Sequence, residues 1–318
     1  MNVNELLERI EKEKGKLQGE IVNSDGLLRL QQTMAEYDGE YRLIWSDDLA
    51  KEIATRKDEP TYKTGLPLLD EVIGGFRGQQ LITIGGDTGH GKTSVGMFFV
   101  EQFADLNPLV IPLEQSNEEL VSQRIQNGYS VPKFLSPHSL ADRVTVDWIE
   151  ERVVEGIAKY NTKLVLIDHL GYINDFGKEG EFKRENVAYR IGQVMKGLKN
   201  VAKKWNVIIL LLVHISQHDE GKPPSREDIK NSSDIAQESD MVLLVWRKNA
   251  LKKKVRIYEN RTLLSVQKNR RTGKNGNIGL AFNTTTGQYE EDNGWVASMV
   301  ASAESEVQAE EQFDGYGS

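Results

Sequence analysis

The chain has 318 residues, no cysteine and a formal net charge of −8, a length that allows one large domain with appendages. The lack of cysteine excludes disulfides and thiolate metal sites, and the acidic balance argues against a surface that coats nucleic acid throughout, although a local basic channel stays possible. The longest strongly apolar run, residues 207–213, is far too short to span a bilayer. Because the N-terminus is also unlike a signal peptide, we expect a cytoplasmic protein with no membrane partner.

Residues 1–58 form a charged arm whose apolar residues recur at helical spacing between glutamates and lysines. A second helix is predicted from Leu49 to Arg56, with a capped start at residues 46–48. This helical arm is too thin to build a core alone. Two interpretations stand side by side: a helical hairpin packed on its own domain, or a helix that docks on a neighbouring subunit.

Residues 59–292 are predicted to form an α/β core, in which apolar strand-like runs alternate with helix-like runs. The predicted strands are 81–84, 109–113, 164–167, 207–213 and 241–246, and helices are predicted at 147–160 and 187–205. Continuous apolar strands separated by helices indicate a mostly parallel central sheet flanked by helices on both faces. Residues 255–289 differ, because turns and alternating residues predict antiparallel hairpins there.

The octet Gly86–Thr93 reads G-D-T-G-H-G-K-T and fits the P-loop pattern G-x-x-x-x-G-K-[ST] at every fixed position. A predicted strand precedes it and a predicted helix follows it, an arrangement that aims backbone N–H groups and a positive helix end at a phosphate. We therefore expect ATP here, with Lys92 reaching the β- and γ-phosphates and Thr93 offering its hydroxyl to Mg²⁺. The candidate nucleotide-binding residues are Gly86, Asp87, Thr88, Gly89, His90, Gly91, Lys92, Thr93 and Ser94.

Three polar residues follow later strands of this core. Asp168 ends an apolar strand in the Walker B form, so its carboxylate is expected to hold Mg²⁺ together with Thr93. Glu114 ends the strand after the P-loop helix and is the candidate base that activates water; the alternative is an exposed acid at a helix start. His214 ends another apolar run, where a polar side chain can sense the γ-phosphate.

Lys268 and Arg270 lie two residues apart on a presumed strand and therefore on the same face. Two cations aimed at one place require an anion. A γ-phosphate on the adjacent subunit would serve, with Arg270 as an arginine finger and Lys268 as a second catalytic group. The alternative is a solvated basic strand that binds nothing.

Residues 293–318 form a predicted tail with five acidic residues and no basic one. Such a segment buries too little apolar surface to fold, so we expect disorder. The tail either keeps the chain soluble or docks on a basic patch of a partner.

Taken in order, these segments resemble the RecA-like motor domain of DnaB-like replicative helicases over about residues 60–290, and the helicase half of phage primase-helicases is similar. Thr64–Asp70 and Gly74–Gln79 are similar to the family's sequence ahead of its P-loop, and Ile167–Leu170 is similar to its Walker B segment. At the position of His214 the DnaB-like enzymes carry glutamine, and some phage enzymes carry histidine. The resemblance implies a RecA-like P-loop fold and an ATP-dependent DNA helicase.

The resemblance also implies DNA-binding residues, because Ser225–Ser233 is similar to the loop that grips single-stranded DNA in the pore of the family's rings. The candidate DNA-binding residues are Arg226, Lys230, Asn231, Ser232 and Ser233, with Lys183 and Arg184 in a second loop. Lys230, Asn231 and Ser233 depart from the family, which commonly has arginine, an acid and glycine at these positions. The expected grip on DNA is therefore less secure than the ATP site.

Arg247 and Phe282 are implied by the same resemblance to sandwich the nucleotide base. The chemistry is suitable, since a guanidinium and an aromatic ring both stack on a purine. The alternative is that Phe282 simply belongs to the core.

The implied assembly is a homo-hexamer that moves along single-stranded DNA with ATP and Mg²⁺, in a bacterial cell or a phage-infected host. A polymerase, a primase or a loader is the expected partner of the acidic tail. Neither a primase domain nor the family's full N-terminal collar fits into residues 1–58, so the chain resembles a stripped-down motor. Three alternatives remain: a recombinase filament of the same fold, a regulatory RecA-fold ATPase that binds no DNA, and a scaffold that holds ATP as a structural ligand.

Overall fold

A computed structural model describes residue 35 and residues 42–55, 59–173, 187–215, 222–229, 232–252 and 255–298. Within these ranges the chain forms two compact units, Met1–Asp58 and Glu59–Ser318. The predictions made for the first helix of the arm, for Lys183, Arg184, Lys230 and Asn231, and for residues 299–318 lie outside the described residues. In the first unit, helix α1 spans Ser46–Thr55 and buries none of its residues.

The described part of the second unit alternates helices and strands, as the sequence predicts. The helices are α2 (Pro67–Ile73), α3 (Lys92–Gln102), α4 (Asn117–Gln126), α5 (Val146–Tyr160), α6 (Val187–Trp205) and α7 (Ser232–Glu238). The strands are β1 (Leu81–Gly86), β2 (Leu109–Pro112), β3 (Leu164–Asp168), β4 (Ile208–His214), β5 (Met241–Lys252), β6 (Val255–Asn269), β7 (Gly276–Asn283) and β8 (Gln288–Glu291). Over the ranges given above, no helix has both the length and the apolar character that a membrane crossing requires.

Eight strands of the described residues form one sheet in the order β2-β3-β4-β1-β5-β6-β7-β8. The first five of these strands run parallel to their neighbours, and the last three pair antiparallel. The predicted α/β class with a mostly parallel sheet is therefore confirmed. The carboxyl ends of β1, β3 and β4 share one edge of the sheet, hereafter the P-loop edge.

The sheet has an apolar layer on each face, because side chains alternate along every strand. On one face Ile82 and Ile84 of β1 pack with Phe99 of α3. On the other face β4 and β5 pack against Ile149 of α5 and Leu198 of α6. Burial on both faces explains why β1 to β4 read as continuous apolar runs in the sequence.

Strand β5 is longer than its predicted end at Trp246, and it continues to Lys252. The apolar run stops at Arg247, but pairing continues, with Arg247 opposite Thr262 of β6. An antiparallel ladder satisfies the backbone without burial on both faces, so polar residues fit there. The pattern of apolar residues in β5 therefore cannot locate the end of this strand.

The predicted tail begins too early at residue 293. Asn293 Oδ1 accepts a hydrogen bond from Gly279 N at 2.5 Å, and residues 294–298 form a helical turn. Trp295 is only 5% exposed and packs with Trp246 and Leu263. One tryptophan in an otherwise acidic segment is the signal that extends the folded unit to residue 298.

The two-sided core yields a stability prediction. Ile82 is fully buried in β1, whereas Ile125 of α4 is 62% exposed. Ile82→Ala should lower the free energy of unfolding by about 2–5 kcal/mol, because it removes buried apolar surface and leaves a cavity. Ile125→Ala makes the same chemical change at the surface and should alter it by less than about 0.5 kcal/mol. Urea titration followed by circular dichroism measures both, and similar losses in the two variants would contradict this view of the core.

Candidate nucleotide site

The P-loop leaves β1 at the P-loop edge and enters α3 directly. Gly89 and Gly91 adopt φ values of +81° and +91°, which favour glycine. A Cβ placed on Gly91 would lie 3.1 Å from the Tyr289 hydroxyl, and one on Gly89 would lie 3.2 Å from that of Tyr258. Two tyrosines from the antiparallel half of the sheet therefore lie directly beside the glycines of the loop.

Lys92, the first residue of α3, is held inside this loop and is only 6% exposed. Its Nζ donates to Asp87 O at 3.0 Å and contacts His214 Nδ1 at 3.2 Å. The parallel register of β1 and β4 places His214 opposite Gly86. Burial lowers the pKa of Lys92, and the negative charges of Asp168, Glu114 and Asp87 oppose that shift. The predicted sensor thus lies beside the predicted phosphate lysine.

Asp168 and Thr93 form the candidate metal centre. Thr93 Oγ1 donates to Asp168 Oδ2 at 2.7 Å, and Asp168 is 3% exposed at the end of β3. Burial raises the pKa of Asp168, while the bond from Thr93 opposes that rise. Its buried Oδ1 has no hydrogen-bond partner among the described residues. A buried oxygen of this kind suits a hard cation, so the residues present fit Mg²⁺.

Glu114 lies two residues beyond β2, at the same edge. Its backbone N–H donates to Asp168 O at 3.0 Å, and this bond fixes the backbone position from which the Glu114 side chain extends. Its Oε2 lies 3.7 Å from His169 Nε2 and 3.8 Å from His214 Nε2. The carboxylate, 42% exposed, therefore stands between two imidazoles and solvent.

His169 is a neighbour of Glu114 that sequence reasoning missed. Gly171 N–H donates to His169 Nδ1 at 3.0 Å, so the neutral ring carries its proton on Nε2 and presents it to Glu114. Burial, together with His214, lowers the pKa of His169 to about 4. Although the ligand atoms of Glu114, His169 and His214 lie within 4.8 Å of one another, an N–H facing the cluster suits a carboxylate better than a metal ion. Its place directly after Asp168 was the available signal.

Arg247 and Phe282 both lie near the P-loop, but each packs against a tyrosine. Arg247 N donates to His90 Nδ1 at 2.9 Å, and its guanidinium lies 5.5 Å from the Tyr258 ring centroid. Phe282 lies 5.0 Å, centroid to centroid, from Tyr289. Phe282 is partly buried and packs against the core, and its stacking on the nucleotide base stays a prediction.

Tyr289 of β8 packs beside the P-loop and supports it. It is 6% exposed, and its hydroxyl bonds with Thr262 and Ser94. Burial raises its pKa to about 12. Sequence reasoning gave it no role, because nearly two hundred residues separate it from Gly91 along the chain.

Lys268 and Arg270 lie at the opposite edge of the sheet. Strand β6 runs antiparallel, so Asn269 pairs with Met241, which pairs with Ile82 near the start of β1. Gly86 lies four residues further along β1, or about 13 Å at about 3.3 Å per residue. Neither cation can therefore approach the P-loop of its own chain.

Both cations face the carboxyl end of α7 instead of open space. Lys268 Nζ donates to Ala236 O at 2.5 Å, Ser239 O at 2.8 Å and Gln237 O at 3.2 Å. Arg270, one residue beyond β6, donates to Gln237 O at 2.8 Å, and its side chain stays 53% exposed. In this conformation three carbonyl oxygens occupy the donors of Lys268, and the predicted role of the two cations at an anion of the adjacent subunit stays a prediction.

The candidate DNA loop begins at the P-loop edge. Ile229 is buried and pairs with Ile215, the residue after β4. Ser225 N donates to Asp228 Oδ2 at 2.7 Å and so fixes the turn that carries Arg226. The backbone of Ser232 and Ser233 begins α7.

The sheet order, the P-loop and the contact between Thr93 and Asp168 define a P-loop nucleotide-hydrolase fold of the RecA-like class. The model of the DnaB-like helicase C terminal domain family matches residues 62–136 and 136–291. The chain belongs to this family, as the resemblance predicted.

Similar proteins agree with this assignment. The replicative DNA helicase DnaB of Mycoplasma genitalium is 28% identical over 262 residues, which cover 71% of this chain and 55% of that protein. Two solved structures share the fold with TM-scores of 0.62. One is a DnaB-like replicative helicase described with its interactions with primase (16% identity, 90% of this chain, 75% of that one), and the other is an isolated ATPase domain (17%, 76% and 95%). The chain spans about half the length of the curated relatives it matches.

The geometry of the P-loop predicts a specific effect of Gly91→Ala on nucleotide binding. The new Cβ meets Tyr289 and forces the loop to shift, so affinity for a fluorescent ATP analogue should fall by about tenfold or more, equivalent to about 1.4 kcal/mol. Gly128→Ala is the matched control, because φ is +74° there and nothing lies within 4 Å of the new Cβ. It carries the same backbone strain and should bind normally. Equal affinities in the two variants would show that the close approach of Tyr289 to Gly91 does not restrict the loop.

Proposed function

We propose that this chain is the motor of an ATP-dependent replicative DNA helicase that hydrolyses ATP between the subunits of a ring. One observation carries the proposal: Lys92 and Asp168 lie at one edge of the sheet, while Arg270 lies at the other. A site with all three groups needs two copies of the chain. The family of the chain and the replicative helicase of Mycoplasma that it resembles support the same activity.

Hydrolysis in this proposal depends on five side chains of one subunit. Glu114 takes a proton from the attacking water, and its carboxylate stands between the imidazoles of His169 and His214, 3.7 and 3.8 Å from their Nε2 atoms. Lys92 binds the β- and γ-phosphates, and His214, which contacts Lys92, responds when the γ-phosphate leaves. Thr93 and Asp168 would hold Mg²⁺, which supplies positive charge to the phosphates when bound.

The neighbouring subunit completes the site with Arg270, whose exposed guanidinium is available to an approaching surface. A head-to-tail contact of this kind forms either a closed ring or an open filament. We favour a homo-hexameric ring, in which the exposed apolar residues Leu43, Trp45 and Ile53 dock on the next subunit. Of the two interpretations of the arm, this proposal therefore adopts docking.

Single-stranded DNA is the proposed track, bound by Arg226, Lys230 and the pair Lys183–Arg184 through its phosphates. Contacts to the backbone carry no sequence information, which suits a motor that must move along any sequence. Arg226 lies on a turn fixed to the P-loop edge, beside the end of β4. A change at His214 therefore has a short route to the DNA loop.

We assign the acidic tail to a replication partner with a basic surface and the activity to the cytoplasm of a bacterial or phage-infected cell. One of the similar solved helicases was described together with its interactions with primase, which supports a primase among the candidates.

The proposal is tested by steady-state ATP hydrolysis with and without single-stranded DNA at two salt concentrations. DNA should stimulate turnover, and the stimulation should weaken at higher salt, because phosphate contacts release counterions. Strand displacement on a forked duplex then tests unwinding. Turnover that DNA leaves unchanged would favour a regulatory ATPase, and DNA-stimulated turnover without strand displacement would favour a recombinase.

Glu114→Gln tests the general base. The variant keeps the shape of the side chain and should still bind ATP, but its turnover should fall by about 10²- to 10⁴-fold. Glu118→Gln is the matched control, since Glu118 is an exposed acid in the first turn of α4. Similar turnover in the two variants would remove Glu114 from catalysis.

A further inference from the structure

Burial does not fix the Glu114 carboxylate, because its side chain stays 42% exposed. Its backbone, in contrast, is anchored to β3, since Leu113 N and Glu114 N donate to Asp168 O at 2.5 and 3.0 Å. These backbone bonds leave the side-chain torsions of Glu114 free to adopt several staggered rotamers. A general base must stay within hydrogen-bond reach of the proton that it takes, so a further group has to limit these rotations.

His169, the residue directly after Asp168, faces this carboxylate. Its Nε2 lies 3.7 Å from Glu114 Oε2. Because its Nδ1 accepts a hydrogen bond from Gly171 N at 3.0 Å, the ring proton lies on Nε2, on the side of Glu114. The distance exceeds that of a hydrogen bond, and contacts of this kind are often long before the substrate binds and shorten in the reactive complex.

The His169 ring is held in one orientation by its neighbours. Its side chain is only 12% exposed, and its ring centroid lies 4.2 Å from that of His214 and 4.9 Å from that of Tyr172. A Cβ on Gly171 would lie 2.7 Å from His169 Cε1, so the ring lies directly against the Gly171 backbone. The donor is therefore fixed more firmly than the carboxylate that it faces.

His214 faces the same carboxylate, with its Nε2 3.8 Å from Glu114 Oε2, but it serves a second group as well. Its Nδ1 contacts Lys92 Nζ at 3.2 Å, so a change at His214 also disturbs the phosphate lysine. We infer that His169 is a positioning residue, whose Nε2–H holds the Glu114 carboxylate in the orientation in which it accepts the proton of the attacking water. The inference rests on the proposed function, because it needs Glu114 as the general base.

Steady-state ATP hydrolysis by two His169 variants tests the inference. His169→Leu keeps a bulky side chain beside His214 and Tyr172 but removes the donor, so kcat should fall by about 10²-fold, the cost of misplacing a reacting group by about 1 Å. KM for ATP should stay close to that of the wild type, because the lost interaction acts in the transition state. His169→Gln places an amide N–H near the position of Nε2 and should restore most of kcat.

Two comparisons separate positioning from a general structural effect. His138→Leu makes the same chemical change at an exposed histidine and should leave both kcat and KM unaltered. In a Glu114→Gln background, His169→Leu should cause no further loss of kcat, because the base that it positions is already gone. A structural role would lower kcat again by the same factor.

Several results would overturn the inference: an unaltered kcat in His169→Leu, equal losses in His169→Leu and His169→Gln, a raised KM in place of a lowered kcat, or a further loss in the Glu114→Gln background. Wild-type turnover in Glu114→Gln alone would instead overturn the proposed function.

If His169→Leu does not fold, nitrogen NMR of the histidine-labelled protein decides. The resonance of His169 Nε2 should shift when Glu114→Ala removes the carboxylate, and an unchanged resonance contradicts the contact.

Discussion

Strand direction is the constraint on which this structure depends. In a parallel sheet all carboxyl ends meet at one edge, so Gly86, Asp168 and His214 are neighbours although the sequence separates them widely. Strand β6 breaks that pattern and returns to the other edge with Arg270 near its end. In the proposed site, Arg270 must therefore come from a second copy of the chain, because it lies at the edge of the sheet opposite the P-loop of its own chain.

Burial of charge is the second determinant of the site. Lys92 and Asp168 are both buried. Burial lowers the pKa of Lys92 and raises that of Asp168, and each shift favours the neutral form of the side chain. A triphosphate and a divalent cation carry the charges that oppose these shifts. The electrostatic demands of these two side chains therefore match ATP and Mg²⁺, the ligands of the proposed reaction.

Local sequence patterns predicted the parallel half of the fold, in which the strands are buried on both faces. Apolar runs located β1 to β4, and α6 was predicted with the same bounds that the structure has, because burial on both faces leaves a clear signal. The P-loop and the acid of Walker B were recognisable from their spacing, and the structure brings Thr93 and Asp168 into contact.

The antiparallel half could not be read in the same way. Tyr258 and Tyr289 reach the P-loop only through strand pairings that no periodicity reveals, and the end of β5 depends on its partner and not on its own residues. Lys268 was recognised as a cation that needs an anionic partner, but its partner is the end of α7, which is set by tertiary packing. The residue type alone identified Lys268 as a donor, and only the fold showed that the carbonyl oxygens at the end of α7 accept its bonds.

In the proposed ring, Arg270 of one subunit completes the ATP site of the next. The most direct test mixes two inactive variants, Lys92→Ala, which keeps its finger, and Arg270→Ala, which keeps its P-loop. The mixture should regain ATP turnover that neither variant has alone, because some interfaces then combine an intact P-loop with an intact finger. A mixture of Lys92→Ala with the double variant is the control and should stay inactive. Failure of the first mixture to recover turnover, with assembly intact, would contradict the claim.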